Sequence, residues 1–428
     1  MDALSLLDLI PQSRSESASE NLVTATLSAV RARPDHAPGW ISLGDALAQR
    51  QRETGEPVWF ELARKIYEEA SRKDPAQVDA MAGMAWAYGG QHQFELSLLW
   101  AGKALEADSS HATSHGITGD AWVELGEYEK ALESYQKMMD LRPDLSSWSR
   151  GAHLLWLTGQ QNRAVLLMKQ AVNSGGPFAE NTAWCRARLA MMLFQNGALL
   201  AASQALEPAL GNAKPNRLVL LAAGRIAAAQ KKWDVAETHY RAVLESGPDH
   251  EALVALGDLA MLQARADEAK TWYDQVQALH LSHKEKGVHD HLGMARFLAD
   301  HERTPGEALR LALEHGEPRN LHEWDTLAWV WLKQGDPLKA AGYIKKSLDT
   351  GTRDAEIHYH AGCIAMAAGD LSTARQYLQK SLSLNPAFSL LQAPEAHRLL
   401  EKSQPAPMAL PPSLPVHAPQ PRPLTRLR

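Results

Sequence analysis

Four stretches of this chain are variants of one another: GDAWVELGEYEKALESYQKMMDLRP at 119–143, ALGDLAMLQARADEAKTWYDQV at 255–276, DTLAWVWLKQGDPLKAAGYIKKSL at 325–348 and HAGCIAMAAGDLSTARQYLQKSLSLNP at 360–386. Each carries a small residue in a helix-length apolar pattern, a turn near a glycine, then an alanine followed four residues on by an aromatic ring or leucine. Ala131–Tyr135, Ala236–Tyr240 and Ala269–Tyr273 are the clearest pairs, and Pro75, Pro143, Pro248 and Pro386 close units. Unit starts fall near 37, 78, 112, 145, 183, 217, 250, 286, 321 and 355, most of them about 34 residues apart. A lone helix pair cannot bury its apolar face, so units of this kind must stack on their neighbours. That excludes the three separate globular domains that 428 residues would otherwise suggest.

The pattern resembles the tetratricopeptide repeat (TPR) family, whose unit of about 34 residues reads W-x2-L-G-x2-Y, then A-x3-F, then P. The resemblance covers roughly 37–387 and implies a bacterial-type multi-repeat member: an all-α solenoid, a right-handed superhelix of stacked antiparallel helix pairs. Within a first helix, repeat positions 4, 7, 8 and 11 share one face. They are Trp324, Leu327, Ala328 and Trp331 in the ninth repeat, and His115, Thr118, Gly119 and Trp122 in the third. The small residue at position 8 lets the second helix approach at position 20, occupied by Ala131 or Ala340. The expected organisation is a loosely ordered segment 1–20, a degenerate leading half-repeat 21–36, about ten repeats over 37–387, a capping helix 388–403 and a Pro-rich basic tail 404–428.

Composition narrows the function. Forty-four Lys plus Arg against fifty Asp plus Glu give a net charge of −6, weak grounds against a nucleic-acid ligand. No stretch has the ~18 uninterrupted apolar residues of a membrane span, and the N-terminus lacks a basic n-region, so the expected address is cytoplasmic. Two cysteines make no disulfide framework. There is no P-loop, G-x-G-x-x-G, G-x-S-x-G or H-E-x-x-H motif. The chain therefore reads as a non-enzyme with no cofactor and no catalytic residues.

In the family, partners bind on the concave face, lined by positions 2, 5, 9, 12 and 13 of each first helix. Carried onto this sequence, those positions give Trp86, Asp120, Glu124, Trp156, Phe194, Asp258, Phe297, Asp325, Trp329 and Tyr359 as the partner-binding candidates, with Asp290 and Met294 among the others. Acids outnumber bases nine to two there, Arg225 and Lys333 being the bases. The Lys and Asn that clamp acidic chaperone tails in some relatives are missing from their places. The implied partner is a basic and apolar protein or peptide. A second reading stays open: the Trp and Met side chains pack between neighbouring first helices and leave only the acids exposed. His280, His283, His289 and His291 lie within twelve residues; imidazoles bind zinc or nickel, but no Cys is near and the spacing fits no known zinc module. The favoured function is a scaffold or adaptor that binds its partner in the groove. The alternatives are a regulatory or substrate-docking subunit of an enzyme complex, and a metal-handling protein using the His-rich loop. The oligomeric state is open.

Overall fold

The computed structural model describes residues 3–11, 17–176, 178–211, 216–285, 291–314 and 316–403. Among them are 23 helices and no strand. From Ala37 onward the helices run in pairs, first helices opening at Ala37, Val78, Ala112, Leu145, Ala179, Arg217, His250, His291, Leu321 and Ala355. Many starts are fixed by short polar side chains that take up orphan backbone N–H groups: Asn216, Asp249, Asn320 and Asp354 cap their helices, and Asp144 forms a capping box with Ser147.

In repeats 2 to 10 the turn between the two helices carries a residue in the left-handed region: His92, Gly126, Gly159, Gly197, Lys231, Ala264, Glu302, Gly335 and Gly369. These lie 33 or 34 residues apart, except that Gly159 to Gly197 and Ala264 to Glu302 each span 38. The second exception corrects the register of the eighth repeat. Its second-helix predecessor, Ala266–Glu285, runs on for 20 residues, so the eighth repeat starts at 288 and not 286. Phe297 and Met294 then leave the concave positions for the core, and Arg296 and Asp300 occupy positions 9 and 13. Asp290 lies outside the described residues.

Inside a pair, position 8 is small because a ring lies against it. A Cβ at Gly119, Gly224 or Gly257 would overlap the ring of Tyr135, Tyr240 or Tyr273. The tyrosine hydroxyl then donates to the carboxylate at position 9, at 2.8 Å for Tyr135–Asp120, for Tyr273–Asp258 and for Tyr67–Asp45.

The resemblance implied a superhelix with a concave binding face. The superhelix is wound tightly enough for successive turns to touch, repeat 3 meeting repeat 9 and repeat 4 meeting repeat 10. Asn320 Nδ2 donates to the Glu124 carbonyl at 3.0 Å and the Leu321 N–H to the Tyr128 hydroxyl at 2.9 Å. Gln161 and Arg353 exchange two bonds at 3.1 Å. Asn385 Nδ2 reaches the Phe194 carbonyl at 3.0 Å. Side chains at Gly126 and Gly159 would strike the carbonyls of Arg319 and Gly351. Val123, Leu154 and Leu157 share one apolar cluster with Leu321, Ile344 and Ile357. Glu180 of the fifth repeat and Arg52 of the first lie near enough to feel each other's charge.

The N-terminal segment also departs from expectation. The helix Ala3–Leu7 buries Leu6 and Leu7, and Ile10 follows them into the cluster around Trp40, Leu43 and Ile66. Its apolar side chains cover the first face of the stack, which would otherwise meet water. Glu20 pairs with Arg50 at 2.6 Å beneath it. At the other end Gln392–Lys402 buries Ala393 and Ala396. The tail expected at 404–428 lies outside the described residues.

Candidate functional site: the inner face of the superhelix

The inner face differs between the two turns. In the second turn it is filled by the chain itself. Asp325 is 2% exposed and accepts from Arg296 Nη1 at 2.6 Å and His360 Nδ1 at 2.8 Å. Arg296 also reaches Glu356 at 3.1 Å. Trp329 Nε1 and Gln392 Nε2 both donate to Asp300 at 2.8 Å, and the Trp329 ring stacks on His360 with centroids 4.1 Å apart. Burial by itself would raise the Asp325 carboxyl; the charges of His360 and Arg296 outweigh it and hold the group far below the usual range. Asp300 is shifted the other way, burial exceeding the pull of Arg296.

The residues expected to grip a partner are thus divided. Asp325, Trp329 and Tyr359 are buried here, and Phe297 and Phe194 are core residues. Trp156 packs with Met168 and Leu189. Asp258 accepts from Tyr273 and from His301 Nε2, each at 2.8 Å. The nine-to-two acidic balance is corrected as well, because Arg150 lies on Asp120 at 2.9 Å and Arg296 lies among Asp325, Glu356 and Asp300.

The first turn keeps a cavity of about 300 Å³, and it brings Trp86, Asp120 and Glu124 together with Phe60, Phe94 and His153. Its origin is local. Positions 12 and 13 of repeat 2 are Gly89 and Gly90, where other repeats carry Trp156, Phe194 or Glu124. The Phe60 ring lies over Gly90, where a Cβ would overlap it, and meets Trp86 with centroids 4.8 Å apart. Asp120 is already engaged by Tyr135 and Arg150. Glu124 is exposed at its tip but ringed by protein; burial first, then Glu323 and Asp120, push its carboxyl up to about 7. His153 is pushed down to about 3 by burial and by Arg188, so it is neutral near pH 7.

Tetratricopeptide repeat family models match residues 83–146, 221–280 and 355–388. Together with ten helix pairs in register, this decides the family. The chain is a multi-repeat TPR protein. Among solved structures it is similar to the APC/C hetero-tetramer Cut9–Hcn1, at 15% identity and a TM-score of 0.46 over 94% of this chain and 62% of that one, so it spans less than two thirds of that relative. It is also similar to yeast Tom70, at 13% identity and 0.40 over 90% and 95% of the chains, and to Pseudomonas aeruginosa pilF, at 20% and 0.37 over 50% and 93%. No curated protein sequence matches it.

Sequence reasoning about this TPR protein missed Arg296, Asp300, Arg150 and Phe60. Arg296 and Asp300 were displaced by the register of repeat 8, which the small Ala295 at position 8 could have corrected. Phe60 lies on a second helix and reaches the inner face only because of Gly90; the doublet Gly89-Gly90 at two lining positions was the signal. Among the described residues no group of three His, Cys, Asp or Glu is disposed to hold a metal ion. His280 and His283 lie on Ala266–Glu285, His291 is buried with its ring 6.1 Å from that of His280, and His289 is outside the described residues. Among those residues no helix is long and apolar enough to cross a membrane.

Proposed function

We propose that this TPR protein is a non-enzymatic cytoplasmic scaffold that holds a basic and apolar segment of a partner protein on the inner face of repeats 2 to 4. A TPR solenoid is in general a protein-interaction scaffold, and one observation directs the reading to this place. The first turn leaves a cavity of about 300 Å³ walled by Trp86 and Phe60 and bordered by Glu124, whereas the corresponding face of repeats 8 to 10 is closed by its own ion pairs. Aromatic anchors with an acidic border suit a partner of opposite character. A photo-crosslinking residue at His92, exposed on the cavity rim, is expected to capture the partner. The same residue at Gly102, where nothing lies within 4 Å of an added side chain, is expected not to. Equal capture at both positions refutes the location.

A further inference from the structure

We infer that the cavity of repeats 2 to 4 is a cation pocket, which takes the side-chain ammonium or guanidinium of a lysine or arginine on the partner between the Trp86 and Phe60 rings and the Glu124 carboxylate. The inference rests on the proposed binding face and adds the chemistry that occupies it.

Three observations carry it. The first is how this chain covers five of its eight other half-exposed tryptophans. Lys103 lies 3.8 Å above the Trp100 ring, Lys130 4.5 Å above Trp122 and Lys339 3.9 Å above Trp331, while Arg188 and Arg241 cover Trp184 and Trp272 at 5.6 and 5.1 Å. Among the described residues no cation of the chain lies over Trp86, the tryptophan that faces the cavity. An indole face attracts a cation through its quadrupole, and more strongly where water is thinned out.

The second is the carboxylate. Asp120, Asp258, Asp325 and Glu356 each hold a base of this chain. Among the described residues no side-chain hydrogen bond reaches the carboxylate of Glu124. It faces Glu323 of the next turn and Asp120 on its own helix, so the local field is negative. The cations that could answer it are engaged elsewhere: Arg150 with Asp120, and Arg319 with Glu95 at 2.5 Å. The third is shape. Gly89 and Gly90 leave the room, and the Phe60 and Trp86 rings, tilted by 39° to each other, both line it. A second cavity, of about 340 Å³ between repeats 8 and 9, shows the contrast: there Lys333 and Glu302 on the wall neutralise each other at 2.8 Å.

The test uses the full chain and the Trp86 indole N–H signal, assigned by its loss in Trp86→Phe. Three capped tripeptides are titrated: Leu-Lys-Leu, Leu-Arg-Leu and Leu-norleucine-Leu, with choline as a free alkylammonium. The lysine and arginine peptides are expected to bind at least about tenfold more tightly than the norleucine peptide, and more tightly than choline. Glu124→Gln, which keeps the size of the side chain, is expected to remove most of that preference and to leave norleucine binding and the circular-dichroism melt at pH 5.5 unchanged. Equal affinity for lysine and norleucine overturns the cation pocket but leaves the binding face standing. Choline binding more tightly than either charged peptide overturns the assignment to a partner side chain. No Trp86 shift with any probe at about 10 mM, while the crosslinker at His92 still captures a partner, overturns the pocket alone. No capture and no shift refute both readings.

Discussion

Glu124 in the third repeat and Asp300 in the eighth hold the same place, position 13 of a first helix, yet meet opposite fates. Four residues earlier, position 9 is Arg296 beneath Asp300 and Asp120 beneath Glu124. In the following repeat, position 9 is Trp329, whose indole N–H bonds Asp300, and His153, which is neutral. The eighth repeat therefore pairs and hydrogen-bonds its acid, while the third sets two carboxylates side by side. A concave position by itself does not make a binding residue. What decides is whether the neighbouring lining positions supply a partner from within the chain.

The largest effect should come from breaking the closed side. Arg296→Ala leaves Glu356 without its base and Asp325 with His360 alone, and removing one member of a buried ion pair typically costs about 3–5 kcal/mol. Urea unfolding is expected to show a loss of that order. Glu124→Ala should lie within about 0.5 kcal/mol of the parent, as an unpartnered exposed side chain does. Similar costs at the two sites would erase the distinction between the turns. Asp120→Ala belongs with the first group: it strips the hydroxyl acceptor of Tyr135 and the partner of Arg150, for an expected loss of about 1–3 kcal/mol.

The contact between turns gives the next comparison. Gly126 and Gly335 are both left-handed, with φ of 76° and 81°. Replacing either by alanine strains the backbone by about 1 kcal/mol. At Gly335 nothing lies within 4 Å, whereas at Gly126 the new methyl meets the Arg319 carbonyl. Gly126→Ala is therefore expected to cost about 1–3 kcal/mol beyond Gly335→Ala, and to enlarge the molecule in small-angle scattering as the turns part. Equal costs and equal size would mean the turns do not touch in solution.

The helix pairs were legible in the sequence because their determinants are local. Gly119 with Tyr135, or Gly257 with Tyr273, is a ring against a missing Cβ sixteen residues away, and the period repeats it. The turn-to-turn contact was not legible. Asn320 and Glu124 are 196 residues apart, and an asparagine before a helix signals a cap whether or not its amide also reaches another repeat. Of the inner face, Trp86, Asp120 and Glu124 line one cavity. Asp325 and Trp329 were drawn there by the same rule and then covered by Arg296 and His360, which no single-repeat pattern pairs with them. Repeat 8 was misaligned because the helix before it runs on through the His-rich stretch to Glu285.

The smallest effect concerns pH, and it distinguishes the open carboxylate from the closed ones. The Glu124 carboxyl stands at about 7 through burial, Glu323 and Asp120. Its folded-state pKa lies above the ordinary glutamate value, so the protonated form is the one that folding favours. Its contribution to stability is complete below about pH 4.5 and is lost as pH rises through 7. The other groups facing it do not reverse that sign: His153 stays neutral above about 3, and the Tyr128 hydroxyl is pushed up to about 12 by burial. Because Glu124 is exposed, solvent screening should hold the change below about 1 kcal/mol, and about 0.1 M salt should shrink it further. Melting temperature is expected to fall slightly from pH 5.5 to 8 in the parent and to flatten in Glu124→Gln. Over the same interval binding of the lysine tripeptide should strengthen, since the ionised carboxylate is the form that meets the cation. A pH profile of binding unchanged by Glu124→Gln would place the pocket's charge on another group. The closed acid gives the control: Asp325, held far below the usual range by His360 and Arg296, should contribute nothing to either curve above pH 5.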